Sequence, residues 1–383
     1  MALYLTLKEI WRNKSRYTTF SMVIALITIL VLFIAGLGEG LATANKEYIE
    51  KINGELLVFQ ENTEYSTTSS RIARSKLNDL SRVPGVAEIG PIGFANATIV
   101  FPVLEDPLDI SLIGVERGKP GEPPAYIGRN LLTERGLETV IDEDIAAETG
   151  MGIGDTITIK TIQGTEDEFF ELTIVGITTG QQYFFLPSIF VPYQTWNRIR
   201  PQATPGAESE LSSNVVAIKL QDPTAWEAMI PVLQEQVDGI EVTDKVTAYE
   251  SGPGYAAQQT TLNTQKGFTL LISVLVIGGF FQIQTLQKVP QIGMLKAIGA
   301  SNLIVATAAL LQIILVTLIG ISLGSLATFL LSLGFPANIP ILFTGNAVIT
   351  AIVSLVVIGP IGGMVAIRLA LRVEPLTALG LNS

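Results

Sequence analysis

"QKVPQIGMLKAIGASNLIV", residues 287–305, lies between two long apolar runs and holds two isolated charges, Lys288 and Lys296. Before it, Gly267–Gln287 carries no charge; after it, an uncharged block runs from Ala297 to Ile367. A bilayer crossing needs about 20 apolar residues at about 1.5 Å each, so that block is too long for one helix. The turn-rich "GFPANIPILFTGN" (334–346) divides it into spans at 304–333 and 347–371. With 267–287 and a first span at 17–40, whose run Tyr17–Gly38 is uncharged, the chain has four expected transmembrane helices. A cleaved leader would suit "ATA" at 42–44. The apolar run nevertheless exceeds the roughly 7–15 residues of a signal core, so a retained anchor is expected.

Charge orients the spans. The flanks hold Lys8, Arg12, Lys14, Arg16, Lys288, Lys296, Arg368 and Arg372 against Glu9 and Glu374. Taking these eight and two from the chain's 24 basic and 35 acidic residues leaves 16 and 33, a net −17, in 39–266. Short basic flanks stay cytoplasmic. The expectation is a multi-pass protein of the plasma (inner) membrane with both termini cytoplasmic and 41–266 outside. No charge interrupts the apolar runs, so nothing marks a polar path through the bilayer.

The same composition excludes much chemistry. The 383 residues include no histidine and no cysteine. Ser-His-Asp and Cys-His nucleophile systems and His- or thiolate-bound zinc are therefore absent. The acidic excess speaks against nucleic acid and for a solvated surface. "DEDIAAE" (142–148) and "EDEFFE" (166–171) offer carboxylates without a partnering nucleophile. "GMGIGD" (150–155) follows a helix and precedes a strand, the wrong context for a nucleotide loop.

Residues 41–266 read as α+β. "ELLVFQE" (55–61), "NATIVFPVL" (96–104) and "ISLIGVE" (110–116) are strands. "SKLNDLSRVPGV" (75–86) is a helix stopped before Pro84. "NVVAIKL" (214–220), a helix capped by Asp222 with Trp226, Met229, Ile230 and Leu233 on one face, and "GIEVTDK" (239–245) form a β-α-β unit. Between these halves, 126–210 changes rhythm and reads as an inserted β-rich subdomain. "TANKEYIEKI" (43–52) and "SGPGYAAQQTTLNTQK" (251–266) read as polar helical stalks joining this domain to spans one and two.

In the opening stretch Pro290 suits the first turn of a short helix and Gly299 its end. Ile292, Leu295 and Ile298 recur along one face beside Met294, with Lys288 and Lys296 left for water or lipid phosphate. This is either a plain connector or an apolar knob for a cytoplasmic partner. Gly36/Gly40, Gly320/Gly324 and Gly359/Gly363 each form G-x-x-x-G, which allows close helix approach within one subunit or across a dimer. Pro360 is expected to kink span four.

"QIGMLKAIGAS" (291–301) resembles the "EIGILRAIGAS" loop of the MacB/FtsX-like permease family of ABC transporters, with Gln291 in place of the common glutamate. Four further stretches are similar to that family: "LTLKEIWRNKSRYTTFSMVIALITIL" (5–30), "TGMGIGDTITI" (149–159), "SIFVPYQTW" (188–196) and "AIRLALRVEPLTAL" (366–379). The resemblance implies an α-helical membrane protein with four transmembrane helices and a large α+β extracytoplasmic domain, MacB-like and periplasmic, inserted between helices 1 and 2. Residues 1–16 would form an amphipathic lead-in helix, 288–302 a cytoplasmic coupling loop and 372–383 a cytoplasmic tail. The resemblance also implies half of a homodimer or heterodimer, with a periplasmic adaptor as a further partner. Gln291, Ile292, Gly293, Met294, Leu295, Lys296, Ala297, Ile298, Gly299 and Ala300 would transmit ATP-driven closure to the stalks, a mechanism named mechanotransmission. No G-x-x-x-x-G-K-[ST] occurs here, so ATP and Mg²⁺ would be bound by a separate ABC-type ATP-binding subunit and not by this chain. Export or efflux is the leading expectation. An FtsX-like regulator of cell-wall hydrolases, a lipoprotein-releasing permease, and a membrane-anchored receptor without ATPase are the alternatives.

Overall fold

The computed structural model describes residues 8, 11–100, 107–203, 211–252, 254–334 and 341–371. The chain divides into two compact units, Met1–Gly40 with Gln259–Ser383, and Leu41–Gln258.

Helix α1, Lys14–Lys51, is unbroken; its residues to Gly40 belong to the first unit and the rest to the second. At 1.5 Å per residue it is about 57 Å long, well beyond the roughly 30 Å of hydrocarbon a span must cross.

In the second unit β1 (Leu56–Gln60), β2 (Ile72–Ala73), α2 (Arg74–Ser81), β3 (Val86–Val100) and β4 (Leu108–Val115) follow. Next come β5 (Ile127–Gly128), β6 (Glu138–Asp142), α3 (Glu143–Thr149), β7 (Thr156–Gln163), β8 (Glu166–Thr178), β9 (Ser188–Pro192) and α4 (Tyr193–Ile199). The unit closes with β10 (Ser212–Ser213), β11 (Val215–Leu220), α5 (Trp226–Gln236), β12 (Ile240–Asp244) and α6 (Lys245–Glu250).

Strand periodicity sorts the core. Leu57 and Phe59 of β1, with Val215 and Ala217 of β11, enter one cluster that also takes Tyr48 and Ile49 of α1 and Ile52 just after it. The alternate residues Leu56, Val58, Val216 and Ile218 enter another, under Leu80 of α2 and Leu233 of α5. Successive side chains of a strand point to opposite faces, which is why one five-residue strand serves two cores. β1 pairs antiparallel with both β11 and β12, leaving those two parallel and joined through α5, the expected β-α-β unit. Asp222 accepts from Thr224 N at 2.9 Å and caps the single turn Pro223–Ala225 that leads into α5.

Residues 126–210 do not form a sheet of their own. Their long strands complete a ring with β3 and β4, in the order β3–β4–β9–β6–β8–β7 and back to β3. The strand expected at 96–104 begins ten residues earlier, at Val86, and its length makes the ring possible. One edge of β3 pairs with β11 over Val86–Ile92 and then with β7 over Thr98–Val100, while the other edge holds β4. Closure removes exposed edges and encloses a core of Ile99, Leu112, Ile157, Leu172 and Ile189, covered by Trp196. The "GMGIGD" turn is structural: Gly150 (φ 70°) ends α3, Gly154 (φ 93°) reverses the chain, and Asp155 accepts from Gly152 N at 2.8 Å.

In the first unit follow α7 (Tyr255–Gln287), α8 (Val289–Ala297), α9 (Asn302–Ser332) and α10 (Gly345–Leu371). Among the described residues α1, α7, α9 and α10 are long and apolar enough to cross a membrane. These match the expected spans to within two or three residues at most edges, but α1 and α7 run on through the expected stalks. Pro360 lies within α10. Most of the lead-in helix 1–16 and all of the tail 372–383 fall outside the described residues.

Candidate functional site: the α8 elbow and its anchors

The short helix α8 is set between two corners that the local sequence dictates. Pro290 stands in its first turn, where the missing N–H costs nothing. At its end Ala300 N donates to Leu295 O at 3.0 Å and Gly299 N to Lys296 O at 3.0 Å, with Gly299 at φ 101°. That pair of bonds is a Schellman cap, and only glycine adopts its left-handed position without strain. Ser301 then accepts from Ile304 N at 3.4 Å and opens α9. "IGAS" is therefore a stop followed at once by a start.

The lysines correct the sequence expectation that they face water or lipid. Lys288 Nζ donates to Tyr17 Oη and to Gln312 Oε1, each at 2.9 Å, and lies 5.5 Å from the centre of the Tyr17 ring. Tyr17 and Gln312 are buried, on α1 and α9. Lys296 Nζ donates to Leu371 O at 2.7 Å, at the end of α10. The last carbonyls of a helix have no partner within it, and a cation there also answers the helix dipole. An ammonium group brings three donors, and each lysine uses them on neighbouring helices. The arrangement inverts the expected one: the cations turn inward, while Met294 (55% exposed), Leu295 (45%) and Ile298 (80%) are presented outward. Gln291, Ala297 and Gly299 are also exposed, Ile292 and Ala300 are half-buried, and Gly293 is buried.

The glycines explain how closely the helices approach. A Cβ on Gly320 would stand 2.6 Å from the Ile24 side chain, and one on Gly324 2.6 Å from Ala25 O, so α9 lies against α1. Gly359 and Gly363 of α10 meet Thr317 and Ile313 of α9, and Gly36 meets Phe343. Gly40 is buried in α1. Apart from Gly40, these motifs pack within one chain. A further pair escaped sequence reasoning: a Cβ on Gly278 of α7 would stand 2.7 Å from Gly362 O of α10. The doubled "GG" at 278–279 and 362–363 was the available signal.

In the second unit the end of α1 is gripped by the domain. Tyr48 is 1% exposed and donates through its hydroxyl to Gly121 O at 2.8 Å. Lys51 Nζ bonds Gly180 O at 2.7 Å and Glu47 at 3.0 Å.

The sequence matches two family models in succession: a MacB-like periplasmic core domain over residues 18–236 and an FtsX-like permease C-terminal region over 267–375. The chain belongs to the MacB/FtsX-like permease family. It is thus an ABC transporter permease, a component distinct from the ATPase, and membership implies a partner ATP-binding subunit. Relatives include a protein of Staphylococcus haemolyticus named "Putative hemin transport system permease protein HrtB", 26% identical over 97% of this chain and 98% of that one. A "Probable export ATP-binding/permease protein" of Pseudomonas fluorescens is 26% identical over 54% of this chain and 33% of its own length. Among solved structures, the periplasmic region of MacB from Actinobacillus actinomycetemcomitans aligns at 16% identity over 53% of this chain and 94% of that one, with a TM-score of 0.37. In this MacB/FtsX-like permease the α+β domain between α1 and α7 is the extracytoplasmic domain.

Proposed function

We propose that this permease converts ATP hydrolysis in a separate nucleotide-binding subunit into movement of its extracytoplasmic domain, and that the movement drives export by mechanotransmission. The observation that carries the reading is α8: an outward apolar face of Met294, Leu295 and Ile298 on a helix whose own lysines are bonded to α1, α9 and α10. A push on that face is delivered to three membrane helices at once. Residues 291–300 are the docking segment, and the basic flanks support a cytoplasmic side for them and for both termini of a plasma-membrane protein. α1 and α7, about 57 and 50 Å long, are the levers. ATP and Mg²⁺ belong to the partner subunit, and two permease chains form the working unit, with an adaptor as a further partner outside.

The name of the staphylococcal relatives makes hemin the first cargo to try. The test is co-purification of the tagged chain from its host, then reconstitution with the P-loop subunit it brings. Hemin-stimulated ATP hydrolysis that Leu295→Asp abolishes, with membrane insertion intact, supports the reading. A chain that brings no ATPase while folded overturns it in favour of an anchored receptor. Stimulation by a lipoprotein or a cell-wall hydrolase instead of hemin replaces export with release or regulation.

A further inference from the structure

The bundle holds a cavity of about 620 Å³ beside α8, lined by residues just before α1, the end of α7, and α8, α9 and α10. Its wall is mixed in a particular way. Lys8, Arg12 and Lys288 line it, and among the described residues no Asp or Glu does. Phe281, Ile304 and Ile313 provide apolar surface. Two glutamines also line it, Gln284 at 2% and Gln312 at 8% exposure, and the Nε2 of each has no hydrogen-bond partner. Lysine only donates, so the bond from Lys288 Nζ fixes Oε1 of Gln312 as the acceptor and leaves its amide N–H₂ as the unused donor. A buried donor without an acceptor is costly, and two in one cavity call for an acceptor that the described residues do not supply.

We propose that this cavity binds the phosphate of an anionic glycerophospholipid. Phosphate oxygens accept from both amides and are neutralised by the three cations. The apolar wall takes the first methylenes of the acyl chains, which a soluble anion would leave unused. Occupancy would bond α7 to α9 through one headgroup next to the helix that takes the ATPase, so lipid composition would set the stiffness of the coupling end. The inference rests on the membrane placement of the bundle and not on ATP coupling.

The test uses the full chain in mild detergent without any ATPase, so its failure and that of the proposed function are separable. Native mass spectrometry would follow titration with phosphatidylglycerol, phosphatidylcholine and inorganic phosphate. The expected result is phosphatidylglycerol bound at least tenfold tighter than phosphatidylcholine. Gln284→Leu should abolish that preference, and Arg12→Gln, at an exposed position, should weaken it about fivefold. Should Gln284→Leu lower the melting temperature enough to blur the reading, Arg12→Gln decides. Equal binding of the two lipids, or an unchanged preference in a folded Arg12→Gln chain, overturns the site. Displacement of the lipid by millimolar inorganic phosphate overturns the lipid source and leaves a soluble-anion site.

Discussion

The backbone of Tyr48 donates to Gln182 O at 3.1 Å, while Ala44 O, one turn earlier in α1, accepts from Phe185 N at 3.0 Å. The loop 182–185 thereby clips the helix from outside its own ladder. Phe184 and Phe185 take left-handed φ values of 51° and 65° to do so, a conformation that costs non-glycine residues energy and persists only where the surroundings enforce it. The domain thus grips α1 by backbone as well as by the buried Tyr48 ring, which lies 5.3 Å from that of Phe190. Tyr48→Ala is expected to destabilise the domain by about 3–5 kcal/mol, and Tyr48→Phe, which loses only the bond to Gly121, by about 1 kcal/mol. Thermal melts of the full chain in detergent check the ratio.

Lys288 should be far less replaceable than Lys296. Lys288→Met removes the donor to Gln312 Oε1 in a buried site, at about 1–3 kcal/mol. Lys296→Met removes a bond to the last turn of one helix, at about 0.5–1 kcal/mol. Equal losses in melting temperature would refute the anchoring role of Lys288.

Adjacent glycines should behave oppositely. Gly278→Ala drives a methyl group toward Gly362 O and should cost about 1–3 kcal/mol, because the helices must part. Gly279 has nothing within 4 Å of its added Cβ, so Gly279→Ala should be neutral or raise the melting temperature through helix propensity.

Asp142 gives the extracytoplasmic domain a pH dependence. It is fully buried, accepts from Gln181 N at 3.0 Å through one oxygen, and has no partner for the other. Burial first, then the charges of Asp144 and Glu47, push its pKa up to about 7 from 3.8. The folded state holds this proton after the unfolded chain has released it. The stabilisation is therefore complete below about pH 4 and lost as pH rises towards 7, on the order of 4 kcal/mol across the window. Asp142→Asn should flatten that slope and leave the chain more stable than the parent at pH 8; parallel denaturation curves at pH 5 and pH 8 test it.

The α8 elbow shows how far local reading reaches. Pro290, Gly299 and Ser301 act through backbone geometry within a few residues, so the helix and its corners were legible in order. The direction of Lys288 and Lys296 was not, because their acceptors Tyr17, Gln312 and Leu371 lie 271, 24 and 75 residues away. Gln284 and Gln312 stood in plain view as polar residues in apolar runs, but only packing brings them into one cavity. The ring of strands was hidden for the same reason: the hydrophobic alternation of β3 announces a strand, not which strands it joins.

Sequence by itself determined the four membrane helices, the position of the α+β domain between the first two, and the family. These follow from run length and short motifs, all set by neighbours along the chain. Tertiary structure alone decided that 126–210 closes a ring with β3 and β4, that the G-x-x-x-G glycines other than Gly40 meet neighbours in the same chain, and that helix α8 shows its apolar side outward. Those outcomes depend on contacts between distant segments, where a missing Cβ or a single ammonium group finds its partner only after the helices have packed.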